Sequence, residues 1–163
     1  MNDTNPQVAI LMGSKNDWPV MRRSAEVLRD FGVPWQARAL SAHRAPELLG
    51  EYIKGFGGRL IIAGAGGAAH LPGVIASQTT LPVLGVPIAA TPLNGADALH
   101  AIVQMPRGIP VATFAIGEAG AANAALFAVA IWAMGYKDIN QKLSDYRKKM
   151  ADDIKQMPPL ELD

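Results

Sequence analysis

Three short stretches of the sequence carry side chains that can bind an anion or move a proton. Each follows a predicted strand: GSKND from residue 13, SAHR from residue 41 and GAGGAAH from residue 64. Hydroxyl groups, a guanidinium group and unhindered backbone amides are donors that suit phosphate oxygens. An imidazole exchanges protons near neutral pH because its ordinary pKa is about 6.5. The combination predicts a site that binds a phosphorylated molecule and transfers protons.

The anion-binding candidates each have a structural alternative. Ser14 and Asp17 have the spacing of a helix capping box, so they either cap a helix or form an anion site at its N-terminus. Arg44 offers a planar set of donors beside Ser41, and its alternative is a salt bridge to Glu47. The presence of Ser41 and Arg44 at a second strand end favours the anion site.

The histidines differ in their surroundings. His43 lies in a loop rather than on an apolar face, which favours a role as a general acid and base. His70 is the only side chain of the glycine-rich stretch that can carry a proton. His100 falls in a helical pattern three residues after Asp97, where a surface or core role is the simpler interpretation.

The glycine-rich stretch has two interpretations as well. Gly64, Gly66 and Gly67 expose backbone amides to a ligand, or they permit tight packing after a strand. In isolation the two are equally favoured. Beside the other two loops, the stretch from Gly64 to His70, with Leu71 after it, is predicted to form the wall of the site rather than its phosphate cradle.

A parallel α/β sheet must position these loops. Strands are predicted at residues 8–12, 35–40, 82–86 and 111–116, and a further strand begins at residue 60. Helical patterns between them predict helices at about residues 17–31, 46–54, 71–79 and 95–103. Such alternation predicts βαβ crossovers and a sheet with helices on both faces. The carboxyl ends of parallel strands share one edge, so the three loops should meet there.

The last third of the chain has a different character. Residues 119–134 form a helical pattern that is apolar almost all round, so we expect a subunit to cover it. From residue 138 a charged, amphipathic helix is predicted as an arm on the surface or across a neighbour. We predict one domain over residues 1–163, with a core at about 7–135 and a helical arm at about 136–157.

Composition excludes several functions. The net charge is +1 and no basic stripe is interleaved with aromatic residues, so nucleic acid and anionic membranes are not expected partners. No cysteine is present, which excludes disulfides and cysteine nucleophiles. Glycine and proline interrupt the apolar region between residues 60 and 117, so it predicts a buried core rather than a membrane span. The polar N-terminus has no secretory pattern, and a cytoplasmic location is expected.

The order of several blocks resembles a known family. GSKNDW, SAHRAP, GAGGAAHLPG, LPVLGVP, IVQMPRGIPVAT and GEAGAANAALFA, spread over residues 8–134, resemble the N5-carboxyaminoimidazole ribonucleotide mutases of purine biosynthesis. The resemblance implies a flavodoxin-like, three-layer α/β fold, a cytoplasmic homo-octamer, and no metal or organic cofactor. It also implies an isomerase that moves a carboxylate from the exocyclic nitrogen to the ring carbon of its ribonucleotide.

Carried over to this sequence, the resemblance implies a role for each candidate. Ser14, Ser41 and Arg44 hold the phosphate, Asp17 the ribose hydroxyls, and His43 is the acid and base. The wall over the base and the migrating carboxylate consists of Gly64, Ala65, Gly66, Gly67, Ala68, His70 and Leu71. One departure is Ala45, where the family pattern leads us to expect threonine, which removes an N-cap hydroxyl. The stretch of residues 47–59 is also a few residues shorter than expected, so the length of the second helix is open.

Two other functions fit the same residues. The nearer is the related carboxylase, which joins free CO₂ to aminoimidazole ribonucleotide. The other is a ribonucleotide-sensing module on the same fold, which binds without turnover. The three blocks SAHR, GAGGAAHLPG and IVQMPRG favour the mutase.

Overall fold

The protein is described by a computed structural model that covers residues 5–161. The first four residues, which belong to the polar N-terminal stretch, and the last two lie outside the described residues. The strands are β1 (Val8–Met12), β2 (Trp35–Ala39), β3 (Leu60–Gly66), β4 (Val83–Ile88) and β5 (Ala112–Thr113). The helices are α1 (Trp18–Phe31), α2 (Pro46–Gly55), α3 (Leu71–Ala76), α4 (Ala96–Val103), α5 (Glu118–Ala133) and α6 (Lys137–Lys155).

The five strands form one parallel sheet in the order β2-β1-β3-β4-β5. Strand β1 lies between β2 and β3, and its alternate residues enter different cores because side chains along a strand point to opposite faces. Val8, Ile10 and Met12 pack with α1, α5 and α6, whereas Ala9 and Leu11 pack with α2, α3 and α4. The predicted α/β sandwich, with a parallel sheet and helices on both faces, is confirmed.

The helix ends follow their sequence signals. Gly32 ends α1 in the left-handed conformation, with φ of 74°, as a C-terminal glycine does. Ala45 provides no side-chain cap to α2, which agrees with the missing hydroxyl, and α2 runs for 10 residues. Within residues 5–161, no helix has both the length and the apolar character needed to cross a membrane.

Strand β5 is shorter than residues 111–116. The backbone N–H of Phe114 still donates to the carbonyl of Gly85, and that of Gly117 to the carbonyl of Pro87, both at 2.9 Å. These two donors are three positions apart in the sequence, whereas the hydrogen bonds of a regular strand repeat every two residues. The chain therefore follows β4 as an irregular edge, and only Ala112–Thr113 is a strand.

Helix α5 is buried by its own chain more than the sequence indicated. Ala121, Ala125 and Ala128 are fully buried, and the hydroxyl of Ser24 in α1 donates to the carbonyl of Ala121 at 2.7 Å. The small residues thus permit close approach to α1. The chain itself therefore covers much of this helix, and the predicted subunit interface is left with the exposed apolar side chains of Phe127 and, just after the helix, Met134, which are 48% and 86% exposed.

Helix α6 packs through its first half. Ile139 and Leu143 are buried, and the ring of Tyr146 meets that of Phe31 edge to face, with centroids 5.7 Å apart. Its second half exposes Met150 and Ile154. The predicted arm is therefore anchored to α1 and α5 at its start.

Candidate active site

The three predicted loops meet at the carboxyl edge of the sheet. They follow β1, β2 and β3, and β1 lies between the other two, where the strand order reverses. Ligands of open parallel sheets bind at such a point. A cavity of about 450 Å³ lies there, lined by Ser14, Asp17, Ser41, His43, Arg44, Ala65, Gly66, Ala68, His70 and Leu71 among others. The sequence thus located the cavity.

Two predicted site residues do not line the cavity. Gly64 faces the core, where a Cβ atom would stand 2.3 Å from the sulfur of Met21. Gly67 has φ of 62°, a conformation that favours glycine. Gly64 therefore agrees with the packing interpretation. At Gly67, glycine is favoured by the backbone conformation.

The loop after β1 contains the capping box. The backbone N–H of Asn16 donates to Oγ of Ser14 at 3.1 Å, and that of Ser14 donates to Oδ2 of Asp17 at 3.0 Å. Burial raises the pKa of Asp17, while hydrogen bonds from the amides of Ser14 and Gly13 and the charge of Arg44 oppose the rise. In the bond from the Asn16 amide, Oγ of Ser14 is the acceptor, so the hydroxyl proton of Ser14 can be donated to a ligand.

The loop after β2 is connected to the loop after β1 through Arg44. Its Nη2 donates to the carbonyl of Gly13 at 2.9 Å, and its Nε donates to Oγ of Ser41 at 3.3 Å. Oγ of Ser41 also accepts the backbone N–H of Arg44 at 3.2 Å, so this hydroxyl too keeps its proton for a ligand. Arg44 and Glu47, both described, form no ion pair. The guanidinium group therefore lies at the edge of the cavity and does not pair with the acidic residue at the start of α2.

The two cavity histidines contact each other. Nε2 of His43 lies 2.7 Å from Nδ1 of His70, and the rings meet edge to face at 88°. A hydrogen bond between two imidazole nitrogens requires one to carry the proton and the other to accept it. The pair therefore holds a transferable proton at the cavity. His100 lies exposed on α4 and does not line the cavity.

Four lining residues were not singled out from the sequence. They are Gly13, Ala42, Ala69 and Ala90. Ala90 follows β4, the neighbour of β3, so the rule that located the other loops would also have indicated this one. Ala42 and Ala69 carry no chemistry and gave no signal. Among residues 5–161, no group of three or more His, Asp or Glu side chains is placed to hold a metal ion.

Comparisons with known proteins agree with this arrangement. The model of the AIR carboxylase family matches residues 7–153. The N5-carboxyaminoimidazole ribonucleotide mutase of Saccharolobus solfataricus is 53% identical over 152 residues, covering 91% of this chain and 95% of that protein. The Escherichia coli K12 protein of the same name is 52% identical over 158 residues, 94% of each. The crystal structure of Treponema denticola PurE superposes with a TM-score of 0.80 at 30% identity, covering 92% of this chain and 94% of that one.

Proposed function

The chain belongs to the AIR carboxylase family, and we propose that it is an N5-carboxyaminoimidazole ribonucleotide mutase. It is an isomerase of purine biosynthesis: it moves a carboxylate from the exocyclic nitrogen to the ring carbon and gives 4-carboxy-5-aminoimidazole ribonucleotide. Relatives of that name cover nearly the whole chain at about half identity. The observation that carries the proposal is the His43–His70 contact in a cavity that also holds the Arg44 guanidinium group.

The phosphate binds at the Arg44 side of the cavity. Ser14 and Ser41 each have a hydroxyl proton to donate, and the guanidinium group of Arg44 adds a positive charge. Charge-assisted hydrogen bonds to phosphate are roughly twice as strong as neutral ones. Asp17, whose Oδ2 already accepts the amide of Ser14, uses its other oxygen to accept the ribose hydroxyls.

His43 transfers the proton. It protonates the exocyclic nitrogen as the bond from that nitrogen to the carboxyl carbon breaks and CO₂ leaves. The ring carbon then attacks CO₂, and the neutral imidazole takes the proton that this carbon loses. The proton given in the first half returns in the second, so the isomerisation needs no net proton. His70, in contact with His43, orients that ring and the carboxylate.

The freed CO₂ is held by small apolar side chains. Ala42, Ala65, Ala68, Ala69 and Ala90 line the cavity beside the two histidines. Such a surface offers few hydrogen bonds to water, and a dry compartment prevents loss of a reactive intermediate. The loop after β3 thus holds CO₂ between its departure and its recapture.

A substrate comparison tests this function against the carboxylase. The protein is incubated with N5-carboxyaminoimidazole ribonucleotide, and separately with aminoimidazole ribonucleotide plus millimolar bicarbonate. The mutase converts the first rapidly and the second only slowly. Rapid product from the second mixture would refute the proposal and favour the carboxylase.

The sensing module is tested by measuring turnover as above together with ribonucleotide binding. It predicts ribonucleotide binding in the wild type and in a His43→Asn variant, with turnover in neither. The mutase turns over in the wild type only.

Assembly and location belong to the same proposal. A homo-octamer is supported by the exposed apolar side chains of Phe127 and Met134, which a neighbouring subunit would cover. A cytoplasmic location agrees with a biosynthetic enzyme. Light scattering of the purified protein measures the subunit number.

A further inference from the structure

The loop between β4 and α4, residues 89–95, is held by one side-chain pair. The hydroxyl of Thr91 donates to Oδ2 of Asp97 at 2.7 Å, and the Thr91 hydroxyl oxygen accepts the backbone N–H of Leu93 at 3.2 Å. The hydrogen bond from Thr91 holds the pKa of Asp97 below its ordinary range, and backbone amides at the start of α4 add to this effect. The carboxylate is therefore ionised at neutral pH, and the bond that it accepts from Thr91 is charge-assisted.

This loop touches the glycine-rich wall of the cavity. A Cβ atom on Gly66 would stand 2.5 Å from Cβ of Ala90, and one on Gly67 would stand 3.7 Å from Cγ2 of Thr91. Thr91 thus presents its hydroxyl to Asp97 and its methyl group to the wall. Ala90, the preceding residue, lines the cavity itself.

The turn beyond Thr91 depends on unusual backbone conformations. Asn94 has φ of 51° and Gly95 has φ of 85°, so two consecutive residues lie in the left-handed region. Such conformations persist where surrounding contacts hold them. The bond from Thr91 to Asp97 spans this turn and connects the loop to the first turn of α4.

We propose that Thr91 is a positioning residue: its hydrogen bond to Asp97 keeps Ala90 against the glycine-rich wall and so closes the compartment that retains CO₂. The inference rests on the proposed function, because only an enzyme that frees CO₂ needs such closure. CO₂ is neutral and forms few strong contacts, so its retention depends on the fit of the walls. If it escapes, the enzyme releases aminoimidazole ribonucleotide instead of the carboxylated product, and His43 ends the turnover without its proton.

The test compares Thr91→Val with Thr91→Ser. Valine keeps the methyl group and replaces the hydroxyl with a second methyl group, whereas serine keeps the hydroxyl and loses the methyl group. Consumption of N5-carboxyaminoimidazole ribonucleotide is followed with both products quantified, after subtraction of an enzyme-free blank. The valine variant should raise the fraction of turnovers that release aminoimidazole ribonucleotide by about three- to tenfold, a factor that corresponds to the net contribution of one typical hydrogen bond. The serine variant should stay near the wild type.

A matched control separates positioning from stability. The hydroxyl of Thr79 accepts the backbone N–H of Leu81 at 3.1 Å, and Thr79 does not line the active-site cavity. Thr79→Val therefore loses a comparable local bond and should lower the melting temperature without changing the ratio of products.

Amide hydrogen exchange gives a readout that does not depend on activity. Residues 66–70 should exchange on the order of tenfold faster in Thr91→Val than in the wild type, and not in Thr91→Ser. An inactive wild type would refute the proposed function, and the exchange data would then still judge the positioning role. Wild-type exchange in the valine variant, or an unchanged product ratio in an active one, would overturn the inference.

Discussion

Replacement of His43 by asparagine is the sharpest test of the proposed chemistry. Within residues 5–161, the polar contact of the His43 imidazole is with His70. The loop itself is held by hydrogen bonds between Ser41 and Arg44. Asparagine fills much of the same space and cannot exchange a proton near neutral pH. The change should therefore remove the acid and base while leaving the loop and the phosphate site in place.

The expected loss can be estimated from the role assigned to the imidazole. General acid–base catalysis contributes about 10²–10⁴-fold in rate, which is about 2.7–5.4 kcal/mol at 1.36 kcal/mol per tenfold. His70→Asn removes the 2.7 Å contact that orients the His43 ring but leaves the acid and base in place, and misplacement of a catalytic group costs up to roughly 10²-fold. Because the two act as a unit, the double variant should lose little more than His43→Asn alone.

Single-turnover kinetics and calorimetric binding of the product ribonucleotide measure these effects. His100→Asn is the matched control, since it makes the same exchange on the exposed face of α4 and should leave both quantities unchanged. In His43→Asn, the rate should fall by the factor above and the dissociation constant should change by less than about threefold. Turnover within tenfold of the wild type would show that His43 is not the acid and base.

Four further substitutions test other parts of the molecule. Arg44→Lys loses the planar donor set and should raise KM about tenfold with a smaller effect on kcat; an unchanged KM in steady-state kinetics would contradict phosphate binding there. Burial raises the pKa of Tyr52 to about 12, so wild-type stability should fall as pH rises from about 10, the ordinary tyrosine value, through about 12. In denaturant titrations at pH 9 and 11, the free energy of unfolding of Tyr52→Phe should decrease less between the two pH values than that of the wild type. Ala125→Glu buries a charge in the core and should cost about 3–5 kcal/mol of unfolding free energy. Phe127→Glu, at an exposed position, should keep the fold and reduce the size of the assembly measured by light scattering. An octamer that persists in this variant would show that Phe127 is not part of the interface.

The sequence located the site because the rule for parallel sheets is geometric. Once residues 8–12, 35–40 and the run from residue 60 were assigned as parallel strands, their carboxyl ends had to share an edge. The polar residues there were few and distinctive, so Ser14, Ser41, His43 and Arg44 could be grouped before any contact was known. Their roles toward substrate remain predictions that the variants above test.

Other features depended on information that the local sequence does not contain. An apolar helix looks the same whether its own chain or a neighbour covers it, and only the packing of α1 against α5 shows that Ala125 is internal. A glycine likewise looks the same beside a ligand or beside a side chain. Gly64 was assigned to the cavity wall because Met21, distant in sequence, gave no sign that it occupies the space above it.

The contact between Gly64 and Met21 links the two layers of the molecule in a way that bears on how the sequence can change. A methyl group at residue 64 would meet the thioether 2.3 Å away, so Gly64→Ala requires the Met21 side chain to move within the core or to be shortened. Shortening Met21 alone leaves a void in the core, and such voids are costly. Neither single step is neutral, although the pair restores the volume. Residue 64 of β3 and residue 21 of α1 are therefore expected to change together in sequence, although they lie in different layers of the molecule.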